Sequence, residues 1–238
     1  MCTVSIIPRQ RGYLLAMNRD EKLTRVAALP PKVVSVAGRK VVFPSEPGGG
    51  TWIALHDCGV AFALINWYSV PARVGRNPVS RGVVVNAVNA ANSPGEAAEA
   101  LARLPLRQIN PFRLIGVFLQ TREIFEWRWN LNELECRKQL WRARQFISSG
   151  FDEPRAQRLR HRTFLMAQRQ RSSGRLDWLR RLHRSHRPQC GPFAICMHRP
   201  DAATVSYTEV AVGPRAGVLR YWAGAPCGHA KFYSQSLD

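Results

Sequence analysis

Acidic residues are scarce in this chain of 238 residues: 16 Asp and Glu stand against 35 Lys and Arg, a formal net charge of +19. Lysine is scarcer still, 5 against 30 arginines. Codon bias in a GC-rich genome accounts for arginine over lysine but not for the missing acids. Apolar runs stay short. Leu114-Ile115-Gly116-Val117-Phe118-Leu119 is of strand length, far below the ~18 residues of a membrane helix. No basic stretch followed by an apolar core opens the chain, so no secretory signal is expected. Six cysteines (Cys2, Cys58, Cys136, Cys190, Cys196, Cys227) are too few for a disulfide framework at this length, and a reducing cytoplasm is the expected setting. Cys190, Cys196, His198, Cys227 and His229 lack the spacing of a structural zinc site, so no metal is expected. On a strand, however, Cys196 and His198 would share a face. Gly48-Gly49-Gly50 precedes a strand and so offers no helix N-terminus to a phosphate.

The positive charge is unevenly spread. Residues 137–187 hold fifteen Arg or Lys against Asp152, Glu153 and Asp177. Such a segment attracts phosphates, nucleic acid or anionic membranes. No RNP-like, zinc-finger or helix-turn-helix pattern accompanies it, which favours a solvated or substrate-steering surface over a nucleic-acid function.

Periodicity gives an order of strands, then helices, then strands, with no internal repeat and no linker, so residues 1–238 read as one domain. Strand-like runs are residues 1–7, 13–17, 32–36, 40–43, 51–56 and 60–65, with two more between 114 and 129. Ser93 and Glu96 form a capping box for a helix over 97–104. Residues 155–171 and 176–184 read as basic helices with apolar stripes. Strands return at 193–197, 204–208 and 218–222.

The chemistry points to the beginning. Cys2 follows the initiator Met1, and a methionine before so small a residue is expected to be trimmed. The new terminus would carry a thiol and an α-amine together, with ordinary pKa values near ~8.5 and ~7.7–8.0, so that one can act as nucleophile and the other as base. A turn at Arg9-Gln10-Arg11-Gly12 pairs the first two strands and returns Asn18-Arg19-Asp20-Glu21 to the neighbourhood of Cys2. There an arginine can stabilise a thiolate or bind a carboxylate, and an aspartate can hold an ammonium. A solvated turn closing a hairpin would also explain the tetrad.

Met1-Cys2, Asn18-Arg19-Asp20-Glu21, Gly49-Gly50-Thr51-Trp52 and the strand-end Asn66 together resemble the NRDE family, whose eukaryotic members are the transport and Golgi organisation protein 2 homologues. Ser80-Arg81-Gly82 and Cys196-Met197-His198-Arg199 with Thr204-Val205-Ser206 resemble its bacterial members. The resemblance implies an α+β fold, the four-layer αββα N-terminal-nucleophile hydrolase sandwich of two antiparallel sheets flanked by helices. It implies an amidohydrolase cleaving an amide or ester of a small acylated substrate, without a cofactor. Cys2 would be the nucleophile and would be acidified by the nearby positive charges. Arg19 would anchor the thiolate or an acidic group, and Asp20 would orient the α-amine. Asn66 would donate to the oxyanion through a backbone amide, helped by Ser149. Asn18, Glu21, Thr51, Trp52, His198 and Arg199 would contact substrate. In the choloylglycine and penicillin V hydrolases the arginine and aspartate stand three residues apart; here Arg19 and Asp20 are adjacent. Without a bend, Asp20 shares a face with Asn18 and Arg19 shares one with Glu21. The alternative on the same fold is a non-catalytic carrier of haem or acyl lipid.

Overall fold

Alternation along the opening hairpin sets the layers. In β1 (Cys2–Arg9) and β2 (Gly12–Lys22) successive side chains point to opposite faces. Cys2, Val4, Ile6, Tyr13, Leu15 and Met17 enter one buried cluster, whereas Ile7, Leu14 and Ala16 enter another. Both faces are apolar, so both need cover, and the hairpin becomes an inner layer of a stack. The structure, a computed structural model, describes residues 2–237; the expected removal of Met1 falls outside them.

The chain continues through β3 (Leu29–Val36), β4 (Arg39–Ser45), β5 (Ile53–His56) and β6 (Val60–Asn66) to two helices, α1 (Gly82–Val88) and α2 (Pro94–Ala102). Next come β7 (Phe112–Phe118), β8 (Glu123–Trp129), β9 (Leu134–Gln139) and β10 (Arg144–Ser148). Helices α3 (Glu153–Gln168) and α4 (Leu176–His183) precede β11 (Ala202–Val212), β12 (Gly217–Trp222) and β13 (Phe232–Leu237). One sheet runs β10-β1-β2-β11-β12-β13 and the other runs β3 to β9 in chain order. Every pairing within them is antiparallel.

Three apolar clusters separate four layers. Between the sheets, Val4, Ile6, Leu15 and Met17 meet Val42, Ile53, Leu55, Ala63 and Ile115. Val84, Val88, Ala97 and Leu101 of α1 and α2 cover Phe62, Leu64, Phe112 and Leu114 on the outside of the seven-stranded sheet. Phe164, Trp178, Leu179 and Leu182 of α3 and α4 cover Ile7, Leu14, Ala16 and Tyr207 on the outside of the other. Burying a side chain of this size is worth about 1.5–3 kcal/mol, so each helix is held by its stripe more than by its own propensity. The αββα sandwich expected from the resemblance is the observed architecture.

Local departures have local causes. The polar tetrad continues β2 instead of turning away, because β11 pairs with it as far as Lys22. The strand expected at 193–197 is a loop that touches the sheet through one bridge, His198 to Ala203. Strands β9, β10 and β13, and helix α1, carry polar or short patterns that periodicity does not single out. The serine half of the expected capping box forms, Ser93 Oγ accepting from Glu96 N at 3.2 Å, whereas the Glu96 carboxylate accepts from Asn92 N at 2.8 Å instead of from Ser93 N. The basic segment is only partly a solvated face. Arg160 is fully buried, and Arg180 reaches the buried Glu209 at 2.6 Å, joined by Arg220 at 3.2 Å.

Candidate active site

Cys2 opens β1 between two partner strands, with Arg19 of β2 directly opposite on one side and Ser148 of β10 on the other. Opposite residues on antiparallel strands share a face, so all three point between the sheets. There a cavity of about 290 Å³ is lined by Cys2, Arg19, Glu21, Trp52, Asn66 and Arg81, with Asp20, Arg25, Glu46, Thr51 and Asn110 also at its wall. The tetrad thus arrives beside Cys2 as its position in the hairpin predicts.

Each wall is fixed by its own contacts. The Arg19 guanidinium lies 4.4 Å from the centre of the Trp52 ring, 2.7 Å from Glu46 Oε1 and 3.5 Å from Glu21 Oε2. Glu46 also accepts from Arg25 at 2.7 Å, so one carboxylate clamps two arginines. Thr51 Oγ1 donates to Pro44 O at 2.6 Å, while Thr51 N donates to Gly82 O at 3.2 Å. That contact needs Gly82 bare, since a Cβ there would stand 2.7 Å from Gly50 Cα. Asn66, at the end of β6, donates from Nδ2 to the Tyr68 hydroxyl at 2.9 Å. Arg81 donates to Pro111 O at 3.2 Å, and no acidic side chain pairs with it among the described residues. Burial lowers its pKa, which marks it as a cation short of compensation at the cavity wall.

The faces of β2 settle the question raised by adjacency: the chain does not bend. Arg19 and Glu21 take the cavity face. The Asp20 carboxylate takes the helix face, where Arg160 of α3 donates at 3.1 Å and Thr204 Oγ1 at 2.6 Å. Asp20 still borders the cavity, and its backbone hydrogen-bonds the Cys2 sulfur. Burial pushes the Cys2 thiol up, and the Asp20 charge adds to this, against lowering by the terminal ammonium and by Arg19. A thiol so buried needs a base beside it.

Four expected site residues stand elsewhere. Asn18, fully buried, faces α4 and donates from Nδ2 to His183 O at 2.9 Å and Ile195 O at 2.8 Å. It cannot contact a substrate because β2 itself lies between. Ser149 closes a turn, its hydroxyl donating to Phe151 O at 2.8 Å, while its own N–H goes to Glu153. Its neighbour Ser148 is the one facing Cys2, and its buried hydroxyl has no hydrogen-bond partner among the described residues. His198 and Arg199 sit on the helix side of β2, Arg199 pairing with Asp201 at 2.8 Å and lying over Phe151. The one-residue shift from Ser149 to Ser148 is a matter of strand register, which no sequence motif reports. Arg81 lay within a recognised motif, but nothing in that motif told its role. Arg25, Glu46 and Asn110 carry no sequence signal.

With this geometry in hand, comparison with known proteins gives three findings. A family model described as Transport and Golgi organisation 2 matches residues 1–178. No curated protein sequence matches the chain. Among solved structures, penicillin V acylase from Agrobacterium tumefaciens is similar, with TM-score 0.53 and 10% identity over 98% of this chain and 85% of that one. The C2A mutant of the conjugated bile acid hydrolase from Clostridium perfringens is similar at TM-score 0.51 and 11% identity, over 98% of this chain and 96% of that one. At these identities the likeness is one of fold.

Proposed function

The chain belongs to the Transport and Golgi organisation 2 family, and from that premise we propose that it is a hydrolase of the N-terminal-nucleophile kind, opening an amide or ester bond of a small acylated substrate with Cys2. The observation that carries this reading is the cavity in which Cys2, Arg19 and Asn66 meet. The similar structures are named as an acylase and a conjugated bile acid hydrolase, which fits an acyl substrate.

The mechanism requires Met1 to be removed. The free α-amine of Cys2 then takes the thiol proton, and Sγ attacks the carbonyl carbon. Charge develops on the carbonyl oxygen, where Asn66 donates. As the carbon–nitrogen or carbon–oxygen bond breaks, the α-ammonium returns its proton to the leaving group. Water then attacks the thioester with the amine again as base, releasing the acid and the thiol. Asp20, itself fixed by Arg160 and Thr204, orients the amine. Arg19 supports the thiolate, and Arg81, uncompensated, receives an anionic group of the substrate. A lining of charged groups favours such a substrate over haem or a bare acyl lipid, so the carrier alternative gains no support.

The test joins intact mass with a substrate screen. Protein lacking Met1 should hydrolyse members of an N-acyl amino acid panel and acquire an acyl mass on the Cys2 peptide. Cys2→Ala should bind those substrates without turnover. Turnover by Cys2→Ala, or by protein that retains Met1, overturns the proposal.

A further inference from the structure

On the far side of β2 from the cavity, four side chains from two connections converge. His186, Cys196 and His198 lie in the segment that joins α4 to β11; Cys227 lies between β12 and β13. One ligating atom from each lies within 4.8 Å of every other. His198 Nε2 stands 3.6 Å from Cys196 Sγ and 3.4 Å from Cys227 Sγ. The His186 and His198 rings meet edge to face at 5.1 Å, and the buried Nε2 of His186 has no hydrogen-bond partner among the described residues. All cysteines are free, so no disulfide explains the approach of Cys196 to Cys227.

Hydrogen bonding alone accounts poorly for this arrangement. A ring nitrogen either donates once or accepts once, yet His198 Nε2 faces two sulfurs. A cation at the centre satisfies all four groups. With Zn–S near 2.3 Å and Zn–N near 2.0–2.1 Å, a tetrahedron has ligand–ligand edges of about 3.3–3.8 Å. The two sulfur–nitrogen separations fall inside that range. Two thiolates and two imidazoles are the donor set that selects zinc among common divalent ions, and with Zn²⁺ they sum to zero charge. Neutrality matters because Cys196 is fully buried.

We propose that His186, Cys196, His198 and Cys227 form a structural Cys₂His₂ zinc site that ties the two connections α4–β11 and β12–β13 to the back of β2. Binding displaces one proton from each thiol to solvent, leaving two zinc–thiolate bonds and two bonds to neutral imidazoles. All four positions are filled by protein, so the site holds the fold and performs no chemistry. The tie is local to Asp20. Met197, between two of the ligands, donates from N to Thr204 Oγ1 at 2.9 Å, and that hydroxyl donates to Asp20. Neither Cys190 nor His229, both exposed, belongs to the set.

The test uses the full chain, expressed in zinc-supplemented medium and dialysed under reducing conditions. Metal analysis should give one zinc per chain in the wild type, in Cys2→Ala, and in the controls Cys190→Ser and His229→Gln. Cys196→Ser and Cys227→Ser should each lose at least nine-tenths of it. Should those variants fail to fold, cobalt added to chelator-stripped wild type should give the intense visible bands of tetrahedral coordination and thiolate charge transfer. Stripping should lower Tm by roughly 10 °C, restored by zinc. Less than a tenth of a zinc per chain, a cobalt spectrum of octahedral type, or a Cys196–Cys227 disulfide in the reduced preparation would overturn the site. Because Cys2→Ala should retain its zinc, failure of the hydrolase reading leaves this result unaffected.

Discussion

His183 makes stability depend on pH in a calculable way. It is fully buried between α4 and the six-stranded sheet, and burial pushes its pKa down to about 3. Its partners fix a neutral tautomer. Asn18 commits its amide nitrogen to two carbonyls, so Asn18 Oδ1, 3.0 Å away, accepts from His183 Nδ1. Nε2 is then left to accept from the Ser5 hydroxyl, also at 3.0 Å. A protonated ring would face that oxygen with a second donor. In the unfolded chain the same imidazole titrates near ~6.5. Between these two values the unfolded state binds one more proton than the folded state, so stability falls as pH falls, by about 1.4 kcal/mol per unit. Full stability is present above ~6.5, and the loss is complete below about 3. From pH 7 to pH 5 the loss integrates to about 2 kcal/mol for His183. His56, buried and pushed down to about 4, adds a similar amount. Urea unfolding followed by tryptophan fluorescence at pH 7 and pH 5 measures the sum. His183→Gln should be less stable at pH 7 yet lose only about half as much on acidification. Subtracting one protein from the other cancels the carboxylates and remaining histidines. A wild-type loss below about 1 kcal/mol, or an unchanged pH dependence in His183→Gln, would refute the neutral buried assignment.

Asn66→Ala keeps the backbone N–H that is proposed to donate to the oxyanion, so kcat should fall by less than about tenfold, the loss coming only from the side-chain amide that holds the Tyr68 hydroxyl. A fall on the order of 10²–10³ with little change in substrate binding would instead make the side-chain amide the donor. Arg180→Glu should destabilise the protein by about 2–3 kcal/mol in chemical denaturation, since buried Glu209 would keep Arg220 as its one cationic partner among the described residues and gain a like charge beside it. Arg169→Glu and Arg171→Glu, both exposed, should stay within about 0.5 kcal/mol. They should also weaken binding to heparin or other anionic polymers and flatten its salt dependence. Equal costs at all three positions would show that the ion pair with Glu209 contributes nothing.

What was legible in the sequence follows from how local each signal is. Alternating apolar residues in the opening hairpin and the serine cap of α2 are short-range, and both appear as read. Arg19 meeting Cys2 required only a turn at the right place. Ser148 in place of Ser149 depended on the pairing of β1 with β10, strands separated by most of the chain, where one residue of register exchanges the two faces. Asn18 has the same polarity as a site residue, but its position on β2 assigns it to the helix side. The four-ligand cluster draws on two connections separated by β11 and β12, so no spacing rule built on hairpins or single helices could group His186 with Cys227. The loop at 193–197 looks like a strand because Ile195 and Met197 are apolar, yet their burial comes from loop packing against the sheet and α4.

The bare contact between Gly50 and Gly82 has a consequence for inheritance. The loop bearing Thr51 and the turn bearing Arg81 meet backbone to backbone at these two residues: a methyl group on Gly82 would stand 2.7 Å from Gly50 Cα, and one on Gly50 would stand 3.1 Å from Gly82 Cα, a tighter approach than side chains ordinarily make. Gly48, two residues away, meets nothing within 4 Å. In a saturation library screened for folded protein, Gly48 should be permissive, Gly82 should reject nearly every exchange, and Gly50 should accept few. Rescue of either should come only from changes that move both segments apart. Two positions distant in the gene would thus be constrained as one, and any lineage that widened this mouth for a larger substrate would have to alter them together.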